Sequence, residues 1–196
     1  MNNKLCPVCN SSLQKGLRVW HWECPKCGYE KANFSSAINS TFAHGEIDEQ
    51  LRESGLKLLR VRNFQELLGA IIGNGIKSGS LLDVGCAYGW FLEVAKERGF
   101  DVLGIEPDLP VFRAASRRGL SVRNGFFPDI LLDTEKFNGI VFNDVFEHIP
   151  DVQEILKACG MHLLLDGVLV LNLPNSSGIL YKLSRLLCRL GICSFF

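Results

Sequence analysis

Two groups of residues in this 196-residue chain are spaced for chemistry, and the first is cysteine. Cys6 and Cys9 form one C-x2-C pair, and fourteen residues later Cys24 and Cys27 form another. Two such knuckles set four thiolates at the corners of a tetrahedron, which is the arrangement Zn2+ accepts. Four protein ligands leave no open position, so the expected zinc site is structural. Pro7 and Pro25 stiffen the knuckles and Gly28 follows the second. A stretch this short buries too little apolar surface to fold unaided, so the metal must supply folding energy. His21, between the knuckles, reads as a packing or surface residue rather than a ligand.

The second group lies in "LLDVGCAYGW", residues 81–90. An apolar run with Asp83 near its end passes into Gly85, Cys86, Ala87 and Gly89, which reads as a strand entering a tight turn. A dinucleotide-binding turn places its third glycine five residues after the first. Here Gly85 and Gly89 are four apart, with Ala87 between them. That spacing does not fit pyrophosphate, and the charge of Asp83 disfavours phosphate and favours a cation. Glu106, 17 residues after Gly89, ends the next strand, where a carboxylate accepts hydrogen bonds from ribose hydroxyls. The ligand so described has a ribose, a positive portion and no required phosphate. S-adenosylmethionine (SAM) meets those terms. Cys86 reads as a small buried residue rather than a nucleophile, and Trp90 as packing under the turn.

These residues need a scaffold. Ile47, Leu51, Leu58, Val61, Leu68 and Ile72 recur at helical spacing, which fits one or two helices before "GNGIKSGS" breaks the pattern. Strands and helices then alternate: "SLLDVG", "WFLEVAKERG", "DVLGIE", "LPVFRAASRRG", "LSVRNG", "FNGIVFND", "VQEILKACGMHLL" and "GVLVLNLP". Continuously apolar strands separated by helices imply a parallel α/β sheet covered on both faces, with ligands at the strand ends. The expected organisation is a zinc ribbon over residues 1–34 and an α/β Rossmann-like domain over 45–196.

Composition narrows the function. The chain is 47% hydrophobic and 21% charged, with zero formal net charge, so it has no general attraction for nucleic acid. No uncharged apolar run approaches the ~18 residues that span a bilayer, and no signal segment opens the sequence. The expectation is a cytoplasmic protein with reduced thiols.

The string "LLDVGCAYGWFLEVAKERGFDVLGIEPD" resembles motif I and the acidic second-strand end of class I SAM-dependent methyltransferases. "FNGIVFNDVFEHIPD" is similar to their fourth-strand segment, and "LLLDGVLVLNLPN" to their fifth. The likeness covers about residues 47–190. It implies that Asp83, Gly85, Cys86 and Gly89 flank the methionine part of SAM. It also implies that Glu106 binds the ribose and that Pro107 shapes the adenine pocket. Gly125, Phe126 and Phe127 follow the third strand, where the family meets adenine, and Asn143 and Asp144 lie beside the sulfonium. Methyl transfer from a sulfonium needs alignment and exclusion of water, and a hydroxyl acceptor needs a base. His148 is the candidate general base. Asp144, Glu147 and His148 also resemble the E-x-x-E-H string of quinone-biosynthetic O-methyltransferases, which implies a divalent cation as a further option.

Asn138 departs from the family's Asp, and Asp166-Gly167 from its Pro-Gly-Gly turn. The family's sixth and seventh strands have no counterpart before Phe196, which leaves the fifth strand as an apolar edge through which copies could self-associate. Residues 178–196 carry a basic amphipathic stripe of the kind that lies on a membrane surface or covers a core. The reading is methyl transfer from SAM to a small-molecule acceptor, most simply a hydroxyl. Two alternatives stand beside it. One is a non-catalytic binding module on a degenerate methyltransferase fold. The other is an rRNA methyltransferase read through the ribbon, although residues 1–31 carry only five Lys/Arg against two Glu.

Overall fold

Knuckle turns and short strands build the first unit of the computed structural model, which describes residues 5–32 and 49–192. β1 (Gln14–Lys15), β2 (His21–Glu23) and β3 (Glu30–Ala32) form an antiparallel sheet in that order. The apolar alternation over 17–23 becomes strand only at its end. The Leu17 amide donates to Nδ1 of His21 at 3.0 Å and the His21 amide to the Arg18 carbonyl at 3.0 Å, which close a turn ahead of β2. Cys6, Leu13 and Cys24 form the small core here.

The second unit contains the large sheet. α1 (Glu49–Gly73) is one continuous helix, and Phe64, Leu68 and Ile71 turn its apolar side inward. Ile47 lies outside the described residues. Then come β4 (Ser80–Val84), α2 (Trp90–Glu97), β5 (Asp101–Glu106), α3 (Leu109–Arg117), β6 (Val122–Asn124), β7 (Phe137–Asn143), α4 (Val152–His162) and β8 (Leu163–Asn172). The five strands are parallel, in the order β6-β5-β4-β7-β8. Local signals start the helices: the Asp108 side chain accepts from the Val111 amide and Asp151 from the Glu154 amide. The α/β Rossmann-like parallel sheet expected from the sequence is present, preceded by a small antiparallel sheet with a four-cysteine cluster.

Strand periodicity divides the core. Leu82, Ile105, Ile140 and Phe142 face α4, together with Phe127, Phe146 and Ile155. Leu81 and Val141 face the opposite way, onto Phe64 of α1 and Phe91 of α2. Phe142 meets Phe127 and Phe146 edge-on, at centroid separations of 5.9 and 5.3 Å. Among the described residues β8 has no neighbour on its outer side, and Leu165 there is 99% exposed.

The helix after β8, α5 (Ile179–Arg189), groups with the ribbon rather than with the sheet. Its Tyr181 hydroxyl donates to Glu30, and its Arg185 guanidinium pairs with Glu30 and with Glu23, the latter at 2.8 Å. The described residues therefore fall into one unit of 5–32 with 174–192, and another of 49–173. The expected boundaries at 34 and 45, and residues 193–196, lie outside the described residues.

Phe142→Ala removes a fully buried ring from the α4 side of the sheet. It should cost about 3–5 kcal/mol, read as an earlier urea transition of the sheet unit by circular dichroism.

Candidate active site

The strand order reverses at β4: β5 leaves to one side and β7 to the other. A crevice opens at such a switch point, beyond the carboxyl ends of the strands. A cavity of about 320 Å³ occupies it, and its wall includes Asp83, Gly85, Cys86, Glu106, Asn143 and Asp144. Thus six of the residues picked out in the sequence, from the ends of three strands, meet in one place.

The turn after β4 is shaped by backbone. The Gly85 and Cys86 amides both donate to the Ile105 carbonyl, at 2.8 and 3.0 Å, binding the turn to β5. Gly85 has φ +73°, and a Cβ there would stand 2.5 Å from Cγ2 of Val145. Gly89 has φ +76° and caps α2, and its Cβ would stand 2.4 Å from Cδ1 of Leu120. Neither position tolerates a side chain without displacement. Ala87 also takes a left-handed φ of 46°, which aims its amide at Oε2 of Glu106, 2.9 Å away. The Asp108 amide holds Oε1 at the same distance. Each carboxylate oxygen keeps a further lone pair for the cavity.

Asp83 is only 2% exposed. Nδ2 of Asn143 donates to its Oδ1 at 3.2 Å, and Nδ2 of Asn172 in turn donates to Oδ1 of Asn143 at 3.4 Å. Burial, with Glu106 nearby as a second negative charge, pushes the Asp83 carboxyl up to about 7 despite the Asn143 bond. Burial likewise raises Glu106. No cation among the described residues offsets Asp83. A ligand with an ammonium or sulfonium group would, so the wall fits SAM: a carboxylate awaiting a cation, and a second fixed in place with free lone pairs. Burial also raises the Cys86 thiol strongly, with Asp83 adding to it, which suits a packing residue and not a nucleophile.

Other sequence candidates stand elsewhere. Gly89, Pro107 and His148 do not line this cavity. Phe126 is 60% exposed and also outside it, while Phe127 packs in the core against Phe142. Asp144, Glu147 and His148 do not form a metal-compatible cluster among the described residues. Instead Oδ2 of Asp144 faces Nη1 of Arg60 at 3.4 Å. The sequence reading missed Leu56, Arg60 and Phe64, which α1 brings to the wall, and Tyr88, which stacks on Trp90 at 5.6 Å. The i, i+4, i+8 spacing of the α1 residues marks one helix face but not what it meets. Trp90 packs under the turn as expected, with its indole nitrogen buried and without an acceptor among the described residues.

The four ribbon cysteines do come together. Sγ of Cys6 and Cys27 are 3.5 Å apart, those of Cys9 and Cys24 3.4 Å, and all four lie within 4.8 Å of one another. Thiolates ~2.3 Å from a tetrahedral Zn2+ stand about 3.8 Å apart, so the set fits that ion.

A family model described as a methyltransferase domain matches residues 47–195. The chain belongs to the SAM-dependent methyltransferases. It is 32% identical over 121 residues to a ubiquinone biosynthesis O-methyltransferase of Actinobacillus pleuropneumoniae, covering 56% of this chain and 52% of that relative. The mitochondrial ubiquinone biosynthesis O-methyltransferase of Bos taurus is 27% identical over 121 residues, covering 57% of this chain and 33% of the relative. The chain thus spans about half the length, or less, of these curated relatives. A crystal structure from Thermotoga maritima, of a SAM-dependent methyltransferase described as a possible histamine N-methyltransferase, superposes with a TM-score of 0.57 at 18% identity. The alignment covers 71% of this chain and 64% of that one, and shows the shared fold.

The buried acid of this methyltransferase sets a pH dependence. The Asp83 carboxyl titrates near 7 when folded and near 4 when unfolded, so the folded state holds the extra proton between those values. The Asp83 contribution to stability should therefore fall as pH rises through that window, by at most about 1.4 kcal/mol per unit. Asp83→Asn should flatten the fall and melt higher than the parent at pH 8, as read by thermal denaturation across pH.

Proposed function

We propose that the sheet unit binds SAM in the switch-point cavity and transfers its methyl group to a hydroxyl of a small-molecule acceptor. The observation that carries this reading is the convergence of Asp83 and Glu106. One is buried without a cation, and the other is held by two backbone amides at the end of the neighbouring strand. Glu106 would accept from the ribose hydroxyls, Asp83 would face the ammonium end, and Val111 of α3 would border the base. Arg60, the basic residue of the wall, would meet the carboxylate of the methionine part. When bound, SAM supplies an already activated methyl group.

The protein's work is then alignment and exclusion of water. Leu56 and Phe64 of α1, with Tyr88 and Val145, give the cavity an apolar side. An acceptor hydroxyl also has to lose its proton. Asp144 lines the cavity and is the nearer candidate for that proton, while His148 belongs to the short turn Phe146–His148 beyond Val145. The choice of oxygen as the acceptor atom is supported by the relatives, which are named O-methyltransferases. We propose the ribbon cysteines Cys6, Cys9, Cys24 and Cys27 as a structural Zn2+ site, supported by their sulfur spacing.

Glu106→Ala removes the ribose acceptor and should weaken S-adenosylhomocysteine binding by about 1–3 kcal/mol, since hydrogen bonds to charged groups are the stronger ones. Unchanged affinity by calorimetry, or binding of NADH in its place, would overturn the reading. For the ribbon, metal analysis of freshly reduced protein should find about one zinc per chain. Chelation should abolish the amide-exchange protection of β2 and β3 while β4 and β7 stay protected, because the small core cannot hold without metal.

A further inference from the structure

Helix α5 turns its polar side to its own unit and its apolar side away. Tyr181 and Arg185, one helical turn apart, face the ribbon through Glu30 and Glu23. Ile179, Leu183, Leu186 and Leu190 recur at intervals of four, three and four on the opposite side. Ile179 is 84% and Leu190 62% exposed. A helix packed onto its own domain ordinarily does the reverse. The ion pairs set the orientation: the Arg185 side chain is only 19% exposed and the Glu30 side chain 20%, so water screens them less than a surface pair. Rolling the apolar stripe inward would break all of these contacts together.

Charge says what covers the stripe. No acidic residue follows Asp166 in the sequence, and α5 carries Lys182 and Arg189, both exposed, along one flank of the apolar face. A two-fold pairing of α5 with a second copy would bring like charges together, since antiparallel apposition sets Lys182 near the other chain's Arg189. An anionic bilayer meets both features: the leucines enter the acyl boundary, and the long basic side chains reach back to the headgroups. We propose that α5 is an interfacial helix by which the ribbon unit docks onto an anionic lipid surface.

The test is co-sedimentation of the full zinc-loaded chain with vesicles of phosphatidylcholine alone or mixed with phosphatidylglycerol. The chain should pellet with the mixed vesicles and little with the neutral ones, and the bound fraction should fall with added salt. Leu183→Glu with Leu186→Glu, both exposed positions, should abolish binding while circular dichroism and zinc content hold. Lys182→Glu with Arg189→Glu should weaken it about tenfold or more. In the unaltered chain, amide exchange over 179–190 should slow when mixed vesicles are added. Absence of pelleting, equal binding to neutral vesicles, or unchanged exchange in those residues would overturn the proposal. So would a leucine-dependent dimer in ultracentrifugation that does not bind vesicles, which would assign the face to a second copy.

Discussion

Two carboxylates brought out of water at the end of a parallel sheet govern this molecule. Asp83 is raised to about 7 by burial, and Glu106 is raised in the same direction beside it. Neither arrangement favours the fold by itself, because desolvating a charge costs more than a hydrogen bond to Asn143 returns. What holds the acids in place is the surrounding packing. Leu81, Leu82 and Val141 are fully buried around Asp83, and the turn amides at Ala87 and Asp108 clamp Glu106. A site built in this way is strained toward a cation, and the sheet's hydrophobic core supplies the stability that the acids withhold.

The turn is braced from outside the cavity as well. Nη1 of Arg118, at the end of α3, donates to the Tyr88 carbonyl at 2.6 Å, and its guanidinium also pairs with Glu93 of α2. One side chain thereby links α3, the glycine turn and α2. On the other flank Asn172 of β8 reaches Asn143, which reaches Asp83. The edge strand thus bears on the acid without touching the cavity itself. The proposed methyl transfer would need such rigidity, because displacement at a sulfonium is sensitive to the line of approach.

The ribbon unit obeys a different economy. Its core is small, and its cysteines must lie close whether or not hydrophobic burial favours it, which is the situation a metal resolves. Glu23 and Glu30 extend that unit through Arg185 and Tyr181 to a helix that follows β8 in sequence. Family membership covers residues 47–195 and so includes α5, while spatial grouping assigns it to the ribbon. Sequence continuity and physical partnership part company there, where three side-chain contacts join α5 to the ribbon strands.

Local pattern determined much of this. The doubled C-x2-C spacing, the strand-to-glycine turn at 81–90 and the acid at the end of the next strand were legible because each depends on neighbours a few residues away. So was the alternation of strands and helices, since apolar periodicity and the caps at Asp108 and Asp151 act at short range. Tertiary structure decided what those pieces meet. Phe126 and Phe127 are adjacent and chemically identical, yet only Phe127 packs against Phe142, while Phe126 is exposed in the loop that follows β6. Arg60 and Phe64 became part of the cavity only when α1 crossed the strand ends, and His148 was left beyond Val145 by the turn that follows β7. Contacts spanning 84 residues, such as Arg60 to Asp144, are set by how layers pack rather than by any spacing along the chain.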